Sequence, residues 1–268
     1  MEQIFHLEVD CAPAGVQGIA KATLTAHIIP TLDYAVAPRP AIVICPGGGY
    51  GFVSDREGDP IARTFAAAGF QTFVLDYEVK TVPFPSHLLT AGKAVALVRE
   101  HAEEWNINPN KVFVIGFSAG GHLAGSLGVL WNREYIKAAL GTTTEHRPNG
   151  MILCYPVITS GEYAHRGSFN NLLMDRMSDT LLEETSLELQ VSADTVPTFI
   201  WHTFEDTCVP MENALLMATA LRKNNIPFEL HTFPRGCHGL SLVTSEVGSG
   251  PQECAVWVDM AIRWAKEL

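Results

Sequence analysis

Ser118 stands at the centre of G-F-S-A-G, residues 116–120, and this is the strongest chemical signal in the chain. The run before it, 111–115, has the pattern of a buried strand, and Gly120, Gly121, His122 and Leu123 open a helix directly after it. A strand-to-helix turn this tight needs small residues on both sides of the serine, and it lifts the hydroxyl out at the top of the sheet in a strained backbone. The bland alternative is a turn that merely needs glycines. A serine hydroxyl is a poor nucleophile at neutral pH, so it requires a base, and the base requires a carboxylate to orient it. On a sheet that presents serine in this way the chain order is Ser, then Asp or Glu, then His. Asp206, in H-T-F-E-D-T-C-V-P, and His238, in P-R-G-C-H-G-L, supply that order. Both follow strand patterns, at the carboxyl ends where an open α/β sheet builds its sites. Glu205 is a rival acid, but D-x-x-V-P leads straight into a helix and favours Asp206. His231 lies inside a strand pattern, His202 ends a strand near Asp206 and reads as structural, and His122 could either line a pocket or pack the helix.

Acyl transfer also develops a negative oxygen, which wants two or three backbone N–H donors. P-G-G-G-Y, after the strand pattern 41–45, provides a loop whose glycines let the backbone approach a substrate closely. Gly48, Gly49 and the N–H of Ala119 are the candidate oxyanion donors. Three glycines alone are usually only a turn, but this loop directly precedes the first crossover helix, where such a hole is expected. A phosphate cradle does not fit: neither G-x-x-x-x-G-K-[ST] nor G-x-G-x-x-G opening a helix occurs.

The elements that must position these groups are legible from hydrophobic patterning. Residues 4–9 and 19–29 read as an opening hairpin around D-C-A-P-A-G. Continuous apolar strand patterns at 41–45, 71–79, 111–116, 151–158, 198–203 and 228–233 alternate with helical stretches at 59–68, 86–105, 119–130, 211–223 and 251–266. Asp59 and Pro60 are expected at N-cap and first helical position, and Gly69 at the stop. This alternation predicts a mostly parallel sheet with helices on both faces. With no linker or repeat, residues 1–268 are expected to form one domain. A polar stretch at about 159–194 reads as a short cap-like insertion over the sheet edge.

Composition narrows the function. The chain has 268 residues, 47% hydrophobic and 18% charged, which suits a globular core and rules out disorder as the dominant state. A formal net charge of −11 at pH 7 argues against nucleic acid or an anionic membrane surface as partner. No run reaches the roughly 18 apolar residues of a membrane span. The opening M-E-Q-I-F-H-L-E-V-D lacks a basic, then apolar, secretory pattern, so a cytoplasmic protein is expected. The six cysteines are scattered without a C-x-x-C pair, which suggests neither zinc nor a disulfide framework.

The set P-G-G-G-Y, G-F-S-A-G-G-H-L-A, W-H-T-x-x-D-x-x-V-P and H-G-L, in that order from about Ala41 onward, resembles the α/β-hydrolase superfamily of serine esterases. More narrowly, it is similar to bacterial acetyl-esterase and acetylxylan-esterase-like hydrolases related to the hormone-sensitive-lipase group. The resemblance implies Ser118 as nucleophile, Asp206 as acid, His238 as base, and Gly48, Gly49 and Ala119 as oxyanion donors. It implies no metal and no organic cofactor. Tyr50, Phe117 and His122 are the candidate pocket residues. Two positions depart from the group: Pro46 stands where His usually precedes the glycines, and Phe117 where Asp often precedes the nucleophile. The insertion is short for a lid over a long acyl chain, so the implied substrate is a small-molecule ester of acetate, an acetylated oligosaccharide among the candidates. A homodimer is the candidate assembly. Amide cleavage by a peptidase or formamidase would use the same groups, and a non-catalytic binding protein is the alternative of another class.

Overall fold

In the computed structural model, which describes residues 2–31 and 37–268, the chain opens with a hairpin. Strands β1 (Glu2–Asp10) and β2 (Ile19–His27) pair antiparallel, and each alternates exposed and covered residues. There follow β3 (Arg39–Cys45), helix α1 (Asp59–Ala67), β4 (Gln71–Tyr77), α2 (Ser86–Glu100), β5 (Ile107–Phe117), α3 (Ala119–Leu130), α4 (Glu134–Leu140) and β6 (Gly150–Cys154). Three helices fill the next stretch: α5 (Arg166–Leu173), α6 (Asp179–Thr185) and α7 (Leu187–Gln190). The chain closes with β7 (Thr198–Thr203), α8 (Glu212–Lys223), β8 (Phe228–Phe233) and α9 (Trp257–Glu267). The strands form one eight-stranded sheet in the order β1-β2-β4-β3-β5-β6-β7-β8. All neighbours are parallel except β1 with β2 and β2 with β4.

Strands β6 and β7 are buried at every position because helices cover both faces, which is why they read as unbroken apolar runs. The alternation of side chains divides β3 between two cores. Ala41, Val43 and Cys45 join Leu88, Val95, Leu123 and Leu127 from α2 and α3 on one face. Ile42 and Ile44 join Ile61, Phe65, Trp257 and Trp264 from α1 and α9 on the other. Among the described residues no helix is long and apolar enough to cross a membrane, and all six cysteines are free thiols.

Several boundaries differ from the sequence reading. Gly58, not Asp59, is the N-cap of α1; Asp59 sits in the first turn, where its charge faces the positive end of the helix and lies 3.3 Å from His27 Nε2. The helix expected over 86–105 stops at Glu100, because Ile107 must pair with Arg39 in the sheet and the chain has to reverse in between. The strand expected over 151–158 stops at Cys154: Tyr155 takes φ +36 and Pro156 has no N–H for a ladder. The polar stretch after it does not cover the sheet edge. It leaves from β6, an interior strand, and its first helix, α5, lies above the carboxyl ends of the central strands: Asn171 Nδ2 donates to Gly49 O, and Leu172 O accepts from Phe84 N–H.

The turn around residue 118 depends on backbone contact with the loop after β3. A Cβ on Gly120 would lie 2.1 Å from Cys45 O and 2.3 Å from Pro46 O. Helix propensity alone would make Gly120→Ala stabilising by about 1 kcal/mol. The contact predicts the opposite sign, a loss of at least about 2 kcal/mol in denaturant unfolding, since main-chain atoms must move. A variant as stable as the parent would show that the loop and the turn are not in this contact.

Candidate active site

Parallel register brings the chemical groups together. Cys45 pairs with Gly116, so the glycine loop after β3 emerges beside the turn after β5. Thr203 pairs with Phe233, so the loops bearing Asp206 and His238 emerge side by side. Ser118 takes φ +54 and ψ −119, uncommon for a residue with a Cβ. The strained turn is held by its own backbone: Ser118 N–H donates to Cys154 O at 3.0 Å, and Ser118 O accepts from the N–H groups of His122 and Val157. Gly116 is required because a Cβ there would lie 2.0 Å from Gly120 O.

Ser118 Oγ lies 2.8 Å from His238 Nε2, and His238 Nδ1 lies 2.6 Å from Asp206 Oδ2. Asp206 is only 4% exposed, and Oδ1 accepts from the N–H groups of Cys208 and Val209. Its Oδ2 is also 3.3 Å from His202 Nε2. Burial opposes ionisation of Asp206, but hydrogen bonds from His202, His238 and the Val209 N–H, with the attraction of a positive His238, outweigh it and hold the carboxyl well below the usual range. An ionised carboxylate only accepts, so Nδ1 of His238 carries the proton and Nε2 presents its lone pair to the Ser118 hydroxyl. Glu205, the rival acid, instead accepts from Gly236 N–H at 3.0 Å, and His231 pairs with Glu229 on β8. His202 is fully buried and donates from Nε2 to Val209 O at 2.9 Å, a supporting position rather than a base.

Gly48 has φ +127 and Gly49 φ +62, and a Cβ on Gly48 would lie 2.0 Å from Phe52 O. Their carbonyls hold the loop: Gly48 O accepts from Gly51 and Phe52, and Gly49 O accepts from Asn171. Ala119 is the first residue of α3, where an N–H has no partner in the preceding turn. The remaining glycine of the loop, Gly47, donates to a buried carboxylate, Glu57 Oε2, at 2.9 Å.

A cavity of about 480 Å³ opens over Ser118 and His238. Its walls include Gly48, Gly49, Phe52, Arg56, Glu57, Lys80, His165, Asn171 and Cys208. The candidate pocket residues Tyr50, Phe117 and His122 do not line it; all three are buried behind its wall. Tyr50 turns inward to donate to His122 Nδ1 at 2.9 Å, His122 Nε2 donates to Thr185 O at 2.8 Å, and Phe117 packs against Tyr155 and Trp257. Proximity in sequence to Gly49 and Ser118 suggested them, but alternate residues of a strand or turn point to opposite sides. Glu57, Lys80, His165 and Asn171 carried no motif; only their convergence in space identifies them. Among the described residues no three His, Cys, Asp or Glu side chains converge as a metal site.

Beneath the glycine loop, burial holds His122 down to about 4, and burial with the neighbouring His122 holds His87 down to about 4. In the unfolded chain both would take up protons near pH 6.5. Their contribution to stability is therefore complete above about pH 6.5 and is lost as pH falls through about 4. Denaturant midpoints measured from pH 7.5 down to 4.5 are expected to fall steadily below 6.5. Asp206 acts in the same direction only at lower pH, so a flat profile over this window would contradict neutral, buried histidines.

The family model BD-FAE matches residues 31–221. Endo-1,4-beta-xylanase B of Butyrivibrio fibrisolvens is 41% identical over 216 residues, which is 79% of this chain and 34% of that protein. Acetylxylan esterase of Xylanibacter ruminicola is 32% identical over 213 residues, 76% of this chain and 42% of that protein. The chain thus spans less than half the length of either relative. Among solved structures, the acetyl ester-xyloside bifunctional hydrolase from Caldicellulosiruptor lactoaceticus superposes with a TM-score of 0.80 at 36% identity, covering 92% of this chain and 88% of that one. A carboxylesterase from Lactobacillus plantarum superposes with a TM-score of 0.84 at 25% identity, covering 99% and 97%.

Proposed function

The chain belongs to the BD-FAE family and has the α/β-hydrolase fold, and on that premise we propose that it is a serine carboxylic-ester hydrolase acting on acetyl esters of xylo-sugars. The observation that carries the reading is the hydrogen-bonded line from Ser118 Oγ through His238 to Asp206, 2.8 and 2.6 Å, with its serine end open to the cavity.

In the proposed reaction His238 Nε2 takes the Ser118 proton as Oγ bonds to the ester carbonyl carbon. The carbonyl oxygen becomes an oxyanion held by the N–H groups of Gly48, Gly49 and Ala119. The tetrahedral adduct collapses, the C–O bond to the alcohol breaks, and the alcohol leaves with the proton from His238. Water then repeats the sequence on the acyl-enzyme: His238 takes its proton, acetate departs, and the proton returns to Ser118. Asp206 holds the tautomer and stabilises the transient imidazolium.

Two observations support a short acyl group on a sugar. The cavity of about 480 Å³ must also hold part of the alcohol, and His165 and Asn171, at the start of α5 and within it, border the site, which supports reading the 159–194 stretch as a small cap on a single catalytic unit. The relatives named for xylan chemistry support the sugar.

Ser118→Ala is expected to lower kcat on p-nitrophenyl acetate by at least about 10³-fold and to abolish fluorophosphonate labelling, while the fold persists by circular dichroism. Equal turnover by both proteins would refute the assignment. Acetate esters should be preferred over octanoate at least tenfold (about 1.4 kcal/mol), read as kcat/KM. Acetate release from acetylated xylo-oligosaccharides tests the sugar directly: cleavage of aryl acetates without it would confine the activity to simple esters.

A further inference from the structure

Glu57 is a carboxylate only 3% exposed that borders the same cavity as Ser118, yet the line from Ser118 to Asp206 does not use it. Its two oxygens face an amide and a phenol rather than a cation. Oε2 accepts from Gly47 N–H at 2.9 Å, and Oε1 accepts from Tyr155 O–H at 2.6 Å. Burying a carboxylate without a counter-charge costs several kcal/mol, so packing alone does not explain this choice of side chain.

The connections continue from both ends. At the Gly47 end the loop and the nucleophile turn are in contact: a Cβ on Gly47 would lie 2.7 Å from Phe117 O and 3.1 Å from Ser118 Cβ. Gly47 O in turn accepts from Ser54 N–H, closing the loop just before Glu57. At the Tyr155 end the phenol oxygen accepts from Ser241 N–H at 2.9 Å, and Ser241 Oγ donates to Arg56 O at 2.7 Å. The Tyr155 ring stands edge-on to the His238 ring, with centroids 5.2 Å apart. Burial, with Glu57 beside it, pushes the Tyr155 phenol well up, so it remains a donor. One carboxylate therefore touches the glycine loop directly and, through one tyrosine, the exit of β6 and the loop that follows the base.

We propose that Glu57 is a positioning residue for the esterase reaction, fixing the Gly47 peptide so that the N–H groups of Gly48 and Gly49 face the oxygen developing on the Ser118 adduct, and coupling that loop to His238 through Tyr155. The proposal rests on the esterase reading above. It explains why an acidic side chain occupies a place next to a developing oxyanion: its two oxygens accept from Gly47 N–H and Tyr155 O–H at once. Glu57 acts on the geometry of the transition state and makes no contact required for substrate to bind.

The test compares wild type, E57A, E57Q and Y155F on p-nitrophenyl acetate, with affinity for phenylboronic acid, which adds to a serine hydroxyl as a tetrahedral anion. E57A is expected to lose about 10²-fold in kcat, comparable to loss of one oxyanion donor, with KM within about twofold, and to lose boronate affinity by a similar factor. E57Q should recover much of that loss, since its amide oxygen still accepts from Gly47 N–H. If E57A does not fold, Y155F decides, with an expected kcat loss of about three- to tenfold at unchanged KM, as for one weakened hydrogen bond of about 1 kcal/mol. Folded E57A with kcat within threefold of wild type, a loss confined to KM, or an unchanged Y155F in place of an unfolded E57A overturns the proposal. Failure of the esterase reading is separate, because it would appear in wild type as turnover equal to that of S118A.

Discussion

A carboxylate kept ionised in a nearly dry place sets the direction of the hydrogen bonds that run from it through His238 to Ser118. Asp206 is 4% exposed and surrounded by donors: two backbone N–H groups and two imidazoles. Because it can only accept, it dictates that His238 carries its proton on Nδ1 and leaves Nε2 basic toward Ser118. A protonated acid at that site could present a hydrogen to Nδ1 and reverse the imidazole, and the hydroxyl would then face a donor. His202 contributes from beneath as a fourth donor direction, donating from the same nitrogen to Val209 O.

The frame that holds this line is built from backbone contacts between neighbouring parallel strands rather than from side-chain packing. Strands β3, β5, β6 and β7 all end on one side of the sheet, in register within a residue or two. Their exits therefore crowd one another. Gly116, Gly120 and Gly47 lack side chains because main-chain oxygens already occupy the places a Cβ would take. Such contacts are short and stiff, which suits the proposed reaction, in which donors and nucleophile would be held to fractions of an ångström. Around that rigid centre the walls come from more distant parts of the chain. His165 and Asn171 arrive from the helices after β6, and Asn171 fastens that segment to Gly49 O. The cavity is thus limited from above by a segment bound to the loop that forms its floor.

The buried hydroxyl-and-imidazole cluster under the glycine loop belongs to the same frame. Tyr50, His122 and Thr185 join the loop, α3 and the overlying segment by two hydrogen bonds. They tie together three elements that are distant in sequence, and Tyr50 and His122, though adjacent to the motifs, face this cluster and not the cavity.

The sequence by itself determined the mostly parallel layered sheet and the order of its strands with α1, α2, α3, α8 and α9, but not the short helices α4 to α7, because buried strands and long amphipathic helices impose different periods on apolar residues and short helices impose too few turns to show one. It also marked Ser118, Asp206, His238 and the glycine loop, since a tight turn or a close backbone approach restricts residue type locally, and local restrictions are written in neighbouring letters. The strand end at Cys154 and the helix end at Glu100 were less legible, because they depend on which partner the next segment must reach. Tertiary structure alone decided that Glu57 meets Gly47 and Tyr155, that His165 and Asn171 border the cavity, and that Tyr50, Phe117 and His122 do not. A hydrogen bond between residues 57 and 155 imposes no periodicity and no turn chemistry on either stretch, so it leaves no pattern to read until the strands have brought them together.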